Sequence, residues 1–165
     1  MSSPFTPRFA LLGNSGSGKT TLARELGAEH EAPVLDLDTV AFEPDRPGVR
    51  RPLKDARADV AAFCAQDGGW VVEGCYADLV VTALEAGAEL VFLDPGVERC
   101  VANCRSRPWE PHKYATAEEQ DARLPFLLTW VAEYYERDGD LSHAAHLALF
   151  EAYGGPKRRL GPGLS

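Results

Sequence analysis

Three things are scarce in this 165-residue sequence, and each scarcity narrows what the chain can be. Long apolar runs are the first. Stretches such as Leu90–Leu93 have the length of a strand, far below the about 20 residues that a membrane-spanning helix needs. Met1–Arg8 carries no apolar core of the signal-peptide kind, so the expected compartment is the cytoplasm. Cysteines at redox or metal spacing are the second. Cys64, Cys75, Cys100 and Cys104 form no CxxC pair and read as small buried hydrophobes. Cys100 and Cys104 stand four apart with His112, His143 and His146 downstream, yet no spacing matches a zinc pattern. Positive charge is the third. With 17 Lys and Arg against 25 Asp and Glu the net charge is −8. That opposes binding a nucleic-acid backbone over a broad face, because such affinity comes from Lys and Arg. A small nucleotide held by backbone amides and one lysine is compatible with the same acidic surface.

What is present is the material of an ordinary globular domain, 45% hydrophobic and 25% charged, with no repeats and no linker, so residues 1–165 are expected to form one domain. Apolar runs of strand length recur at Arg8–Gly13, Pro33–Asp38, Trp70–Glu73 and Glu89–Asp94. Helical patterns fall between them, from Lys19 to Gly27, Leu53 to Ala65, Asp78 to Ala86 and Pro95 to Arg107. Strands alternating with helices predict parallel βαβ units, and strands apolar on both faces predict helices on both sides of the sheet. After Arg107 the pattern changes. Pro108–Thr116 is an aromatic, proline-bearing loop inside a candidate lid at about 105–118. Helices follow at Glu118–Arg137, with Pro125 kinking or splitting the first, and at Ser142–Tyr153. No clear fifth strand is legible in the last nine residues.

Residues 13–20, Gly-Asn-Ser-Gly-Ser-Gly-Lys-Thr, satisfy GxxxxGK[ST] in full, between a strand and a helix as that motif requires. Its glycines let backbone N–H groups turn inward around phosphate oxygens at the positive end of the next helix. The expected nucleotide contacts are Gly13, Asn14, Ser15, Gly16, Ser17, Gly18, Lys19, Thr20 and Thr21, with Lys19 reaching the β- and γ-phosphates and Thr20 a magnesium ion. The predicted fold is a three-layer α/β/α P-loop NTPase with a parallel sheet of four or five strands and a helical, lid-bearing C-terminal part.

In such sheets ligands bind beyond the carboxyl ends of the strands, where Gly13, Asp38, Glu73 and Asp94 fall. Phosphoryl transfer needs one carboxylate on the magnesium shell and another to orient the attacking hydroxyl. Asp36 and Asp38 are placed for those roles, although Asp38 could also simply begin a turn. Glu73 and Tyr76, flanking Gly74, are candidate substrate contacts. Asp94 either orders metal-bound water or caps the helix that starts at Pro95–Gly96. Arg105 and Arg107 stand before the lid, where an arginine can meet charge moving on the γ-phosphate, or where the helix dipole alone would favour it. Trp109, His112, Lys113 and Tyr114 suggest a substrate wall. Phe126, Trp130, Tyr134 and Tyr135 read as core positions of the long helix, and His143 and His146 as structural or surface residues.

The segments GNSGSGKTTLARELG, LDLDTVAFEPD, WVVEGCYADL and AELVFLDP resemble the small P-loop kinases of the adenylate kinase and shikimate kinase group. Within that group they look most like the adenylate-kinase-like branch labelled DNA topology modulation proteins. The resemblance covers residues 8 to about 107. It implies ATP and Mg²⁺ as cofactors, Asp36 as the magnesium-side carboxylate, Asp38 as the substrate-side one, and Arg105 or Arg107 as the lid arginine. It also gives Glu73-Gly74 the place of the substrate turn. The chain departs from the group in having no arginine in Ala77-Asp78-Leu79-Val80, the segment that follows Tyr76, a role that Arg46, Arg50 and Arg51 are candidates to fill. The adenine end is assigned to Gly155-Pro156-Lys157. The expected function is ATP- and Mg²⁺-dependent transfer to a small molecule or nucleotide. The alternatives are a nucleotide-binding regulator or slow ATPase and, less favoured, a nucleic-acid-associated protein.

Overall fold

The computed structural model describes residues 5–46 and 48–161; Met1–Pro4, which carry half of the N-terminal reading above, lie outside the described residues, as do Pro47 and residues 162–165. The elements run β1 (Arg8–Gly13), α1 (Lys19–His30), β2 (Val34–Asp36), α2 (Asp38–Ala41), α3 (Leu53–Cys64) and β3 (Trp70–Gly74). They continue with α4 (Ala77–Glu85), β4 (Glu89–Leu93), α5 (Val97–Arg105), α6 (Ala117–Ala132), α7 (His143–Ala152) and β5 (Lys157–Leu160). The sheet has the order β2-β3-β1-β4-β5, and every pairing is parallel.

Period-two alternation along buried strands builds the three layers. Ala10, Leu12, Val72 and Leu90 point to one face, where they pack with Leu37, Val60 and Leu79. Phe9, Leu11, Val71 and Val91 point to the other and meet Ala23 and Leu26 of α1. Leu11, Leu12, Val71, Val72, Leu90 and Val91 are each 0% exposed, so both faces of the sheet are core. Each such side chain contributes about 1.5–3 kcal/mol relative to exposure. A third, smaller cluster joins α5 to α6 through Cys100, Cys104 and Val131. All four cysteines are free thiols. The three-layer parallel architecture predicted above is therefore observed, with five strands.

Several details differ from expectation. The C-terminus does contain a strand: β5 pairs with β4 from Leu90↔Lys157 to Leu93↔Leu160. It is polar because it is a sheet edge, where Arg158 pairs with Glu89 and Arg159 with Asp94, and periodicity of hydrophobes has nothing to register there. The long helix ends at Ala132 rather than Arg137, and Pro125 sits inside it without dividing it. Beyond Ala132 the chain turns, and Arg137 closes the turn by donating to the Leu141 carbonyl at 2.8 and 2.9 Å while stacking 3.7 Å over Trp130. Phe126 is 70% exposed and Tyr135 44%, so neither is the core residue expected, whereas Tyr134 is buried.

His146 is structural, as expected, and fully buried. Its Nε2 donates to the Cys75 carbonyl and its Nδ1 accepts from the Tyr134 hydroxyl, both at 2.7 Å. Burial holds its pKa down to about 4. The imidazole is thus neutral in the fold and charges readily when unfolded, so its contribution to stability is present above pH 6.5 and is lost as pH falls toward 4. His146→Phe should lose the two hydrogen bonds and also flatten that acid-side fall. Urea unfolding of variant and parent between pH 7 and 4 checks it; parallel pH slopes would contradict the assignment.

Candidate active site

The phosphate loop is held from behind by close packing. A Cβ at Gly13 would come 2.5 Å from the Leu93 carbonyl oxygen, and one at Gly16, where φ is +79°, 2.3 Å from that of Cys100. Only glycine allows β4 and α5 to approach this closely. Asn103 Nδ2 donates to the Gly16 carbonyl at 2.8 Å and Asn14 Nδ2 to the Val131 carbonyl at 3.2 Å, tying the loop to α5 and α6. Lys19 Nζ donates to the Asn14 carbonyl at 2.7 Å. Of the predicted nucleotide contacts, Ser15, Gly16, Gly18, Lys19, Thr20 and Thr21 line a cavity of about 430 Å³. Gly13, Asn14 and Ser17 lie beneath it as the loop's scaffold, and the Ser17 N–H closes a turn onto the Asn14 carbonyl at 3.1 Å.

Asp36, Asp38 and Glu73 form the opposite wall of that cavity. Asp38 does not end β2; it opens α2, and its N–H donates to Asp36 Oδ1 at 2.9 Å. The Asp38 carboxylate still faces the site. Lys113 Nζ lies 2.8 Å from one oxygen, and the Tyr76 hydroxyl donates to the other. Burial disfavours the Asp38 charge, but Lys113, Tyr76 and Lys19 outweigh it and hold the carboxyl below its ordinary range. Asp36 is shifted the other way, raised by burial and by the neighbouring Asp38.

Glu73 is the most perturbed of the three, raised to about 7 chiefly by burial, with Asp36 and Asp38 adding to it against the opposing charge of Lys19. Thr20 Oγ1 donates to its Oε1 at 3.4 Å. A carboxyl raised in this way favours the folded state below about pH 4.5, and that advantage is lost as pH rises toward 7. Glu73→Gln should therefore make the ligand-free protein more stable at pH 8, by on the order of 2 kcal/mol. Chemical denaturation of variant and parent at pH 8 checks it. A variant less stable than the parent at pH 8 would contradict the reading.

The loop that follows α5 supplies a further side of the cavity. Arg107 reaches Ser15 Oγ at 3.4 Å through Nη2 and pairs with Glu110 at 3.2 Å. Glu110 also meets Lys113 at 3.1 Å. Gln120 of α6 pins the loop, accepting from the Glu110 N–H at 2.7 Å and donating to the Pro108 carbonyl at 3.1 Å. Arg105, the other arginine predicted, is exposed on α5 and lies outside the cavity. Trp109 does not line it either; its Nε1 donates to the Tyr114 carbonyl and the ring is 46% exposed. His112 and Lys113 do line it.

Other expectations are corrected by packing. Asp94 neither faces the cavity nor caps α5, whose N-cap is Gly96. Its carboxylate is taken by Tyr135, His143 and Arg159, which join β4 to α7 and β5. Arg46, Arg50 and Arg51 bring no charge to the site: they pair with Glu43, Asp78 and Asp59 respectively. Gly155-Pro156-Lys157 opens β5, beside Leu90 near the start of β4, and so lies at the end of the sheet opposite the phosphate loop. Asn103, Glu110, Gln120 and Arg24, which lines the cavity, carry no motif and were not readable from sequence.

A glycine-rich loop at the carboxyl end of a central parallel strand, beside acidic residues at the ends of its neighbours, defines the P-loop nucleotide-binding class with the fold of small kinases. The chain belongs to the AAA domain family, whose model matches residues 9–133. No curated protein matches it. Among solved structures it is similar to a gluconokinase from Sinorhizobium meliloti 1021, at 15% identity over 96% of this chain and 84% of the other, with a TM-score of 0.55. It is also similar to a shikimate kinase from Bacteroides thetaiotaomicron, at 17% identity over 89% of this chain and 98% of the other, with a TM-score of 0.50. At these identities the likeness is one of fold.

Proposed function

We propose that this protein is a cytoplasmic, single-domain kinase that transfers the γ-phosphoryl group of ATP to a small-molecule or nucleotide acceptor. Within the P-loop kinases we place it nearest the adenylate-kinase-like proteins whose sequence segments it resembles. The observation that carries the reading is the convergence on one cavity of the phosphate loop, the Asp36–Asp38–Glu73 wall and the lid cations Arg107 and Lys113. A switch or motor needs the loop, but an orienting carboxylate beside a covered cavity is the equipment of transfer to an acceptor.

In this reading backbone N–H groups of Ser15–Thr20 receive the phosphates and Lys19 swings from the Asn14 carbonyl to the β- and γ-oxygens. The residues fit a magnesium ion. Thr20 and Glu73 present hard oxygen donors 3.4 Å apart, Asp36 stands in the same wall, and the mutual repulsion of the acidic groups is what a cation relieves. Bound there with the nucleotide, the ion would offset charge on the phosphate oxygens. Arg107, already at Ser15, reaches the γ-phosphoryl as charge moves. Asp38, ionised, accepts a hydrogen bond from the acceptor hydroxyl and aims its oxygen at phosphorus. The new oxygen–phosphorus bond forms as the bond to the ADP oxygen breaks, and the hydroxyl proton leaves through Asp38 to solvent.

A thermal-shift screen of metabolites and nucleosides with Mg²⁺ and a non-hydrolysable ATP analogue, followed by ADP release on the hits, tests this. Acceptor-dependent ADP formation is expected. ADP release that no acceptor raises above the water background would replace the kinase with a slow ATPase or nucleotide-binding regulator.

A further inference from the structure

Next to the nucleotide cavity lies a second one of about 270 Å³ that shares Asp38, Arg107, Glu110 and Lys113 with the first. Its own walls are largely apolar and aromatic: Phe42 and Tyr76, edge to face at 6.0 Å, then Tyr114, Leu124 and Leu127. We infer that the acceptor bound here is an uncharged, ring-bearing alcohol, of which a nucleoside is one example, rather than a phosphate ester or a carboxylate. The inference rests on the kinase reading above and adds the acceptor's chemical class to it.

Charge balance carries the inference. The four ionisable side chains that reach both cavities are two acids and two bases, and they are already paired with one another. Lys113 is held by Asp38 at 2.8 Å and by Glu110 at 3.1 Å, and Arg107 by Glu110 at 3.2 Å. Arg107 also points at the phosphate loop, 3.4 Å from Ser15 Oγ, so its charge faces the donor. An anionic acceptor would thus find no uncompensated cation, and it would bring its charge beside Asp38, Glu110 and the γ-phosphate. Desolvating an anion without a partner costs several kcal/mol, enough to exclude it. Arg24 lines the nucleotide cavity and not this one, and Arg50 is already engaged. It is bound to Asp78 at 3.2 Å and stacked 4.9 Å over the Tyr76 ring. What the walls do offer is apolar and aromatic surface for a ring, with Asp38, which lines both cavities, to take one hydroxyl.

The test uses matched pairs of acceptors that differ in charge alone: nucleosides against their 5′-monophosphates, and hydroxy-acid amides against the free acids. ADP release with Mg²⁺ and ATP is measured for each. The expected result is a kcat/KM at least tenfold higher for the neutral member. A charged member that turns over faster overturns the inference and leaves the kinase reading standing. Failure of every member, while the ATP analogue still shifts the melting temperature, overturns both. Glu110→Gln supplies a second arm, because it unpairs Arg107 and Lys113. It should lower KM for the anionic members at least tenfold relative to the neutral ones, and an unchanged ratio contradicts the charge-balance argument.

Discussion

Lys19→Ala is expected to leave a folded protein that no longer responds to nucleotide: the thermal shift with ATP analogue and Mg²⁺ disappears, and turnover falls by roughly 10³. The reason is local. The ammonium is the one side-chain cation within the phosphate loop itself, it is buried, and it sits 2.7 Å from the Asn14 carbonyl at the floor of the cavity. Removing it strips charge from the donor side, whereas the contacts that hold the loop in place belong to Asn14, Asn103 and the glycines and stay intact. Calorimetric titration of nucleotide with parent and variant is the check, and retained affinity within twofold would contradict the role.

Asp38→Asn separates binding from transfer. The nucleotide should bind as before, because the Asp38 carboxylate is bonded to Tyr76 and Lys113 rather than to the phosphate loop, but acceptor-dependent turnover should fall by roughly 10²–10⁴, the range for losing a group that handles the reacting proton. The substitution also frees Lys113 from its 2.8 Å partner, so part of the loss is expected to come from the lost ion pair between the 108–116 loop and α2. Lys113→Met isolates that part: it removes the ion pair and keeps the carboxylate, and is expected to raise KM for the acceptor more than it lowers kcat. Steady-state kinetics of the two variants read the difference. Unchanged turnover in Asp38→Asn would remove it from the mechanism.

The phosphate-loop side of the cavity was legible because it depends on local rules. A strand, five loop residues and a helix are contiguous, and the demands on Gly16 and Gly18, both at positive φ, are written as glycine. Asp36 and Asp38 were legible as a pair at a strand end, even though the second turns out to begin a helix. The side formed with the 108–116 loop was not, because it is assembled from distance. Lys113 meets Asp38 across 75 positions only when α5 and α6 pack through Cys100, Cys104 and Val131, and Gln120 pins the loop from another helix. Asp94 shows the same limit in reverse. Its place at a strand end suggested the site, but β5, invisible to hydrophobic patterning, brings Arg159 to its carboxylate and turns it into a structural tie. Choosing between Arg105 and Arg107 needed the helix to end: α5 closes at Arg105, which stays on its exposed side, and the two further residues carry Arg107 round to Ser15.

The fate of the γ-phosphoryl group tests the account most directly. The protein would be incubated with Mg²⁺, γ-labelled ATP and the acceptor selected by thermal shift, and the products separated by mass. The label is predicted on the organic acceptor, in an amount equal to the ADP formed. Label recovered wholly as inorganic phosphate, at a rate the acceptor does not change, would contradict it.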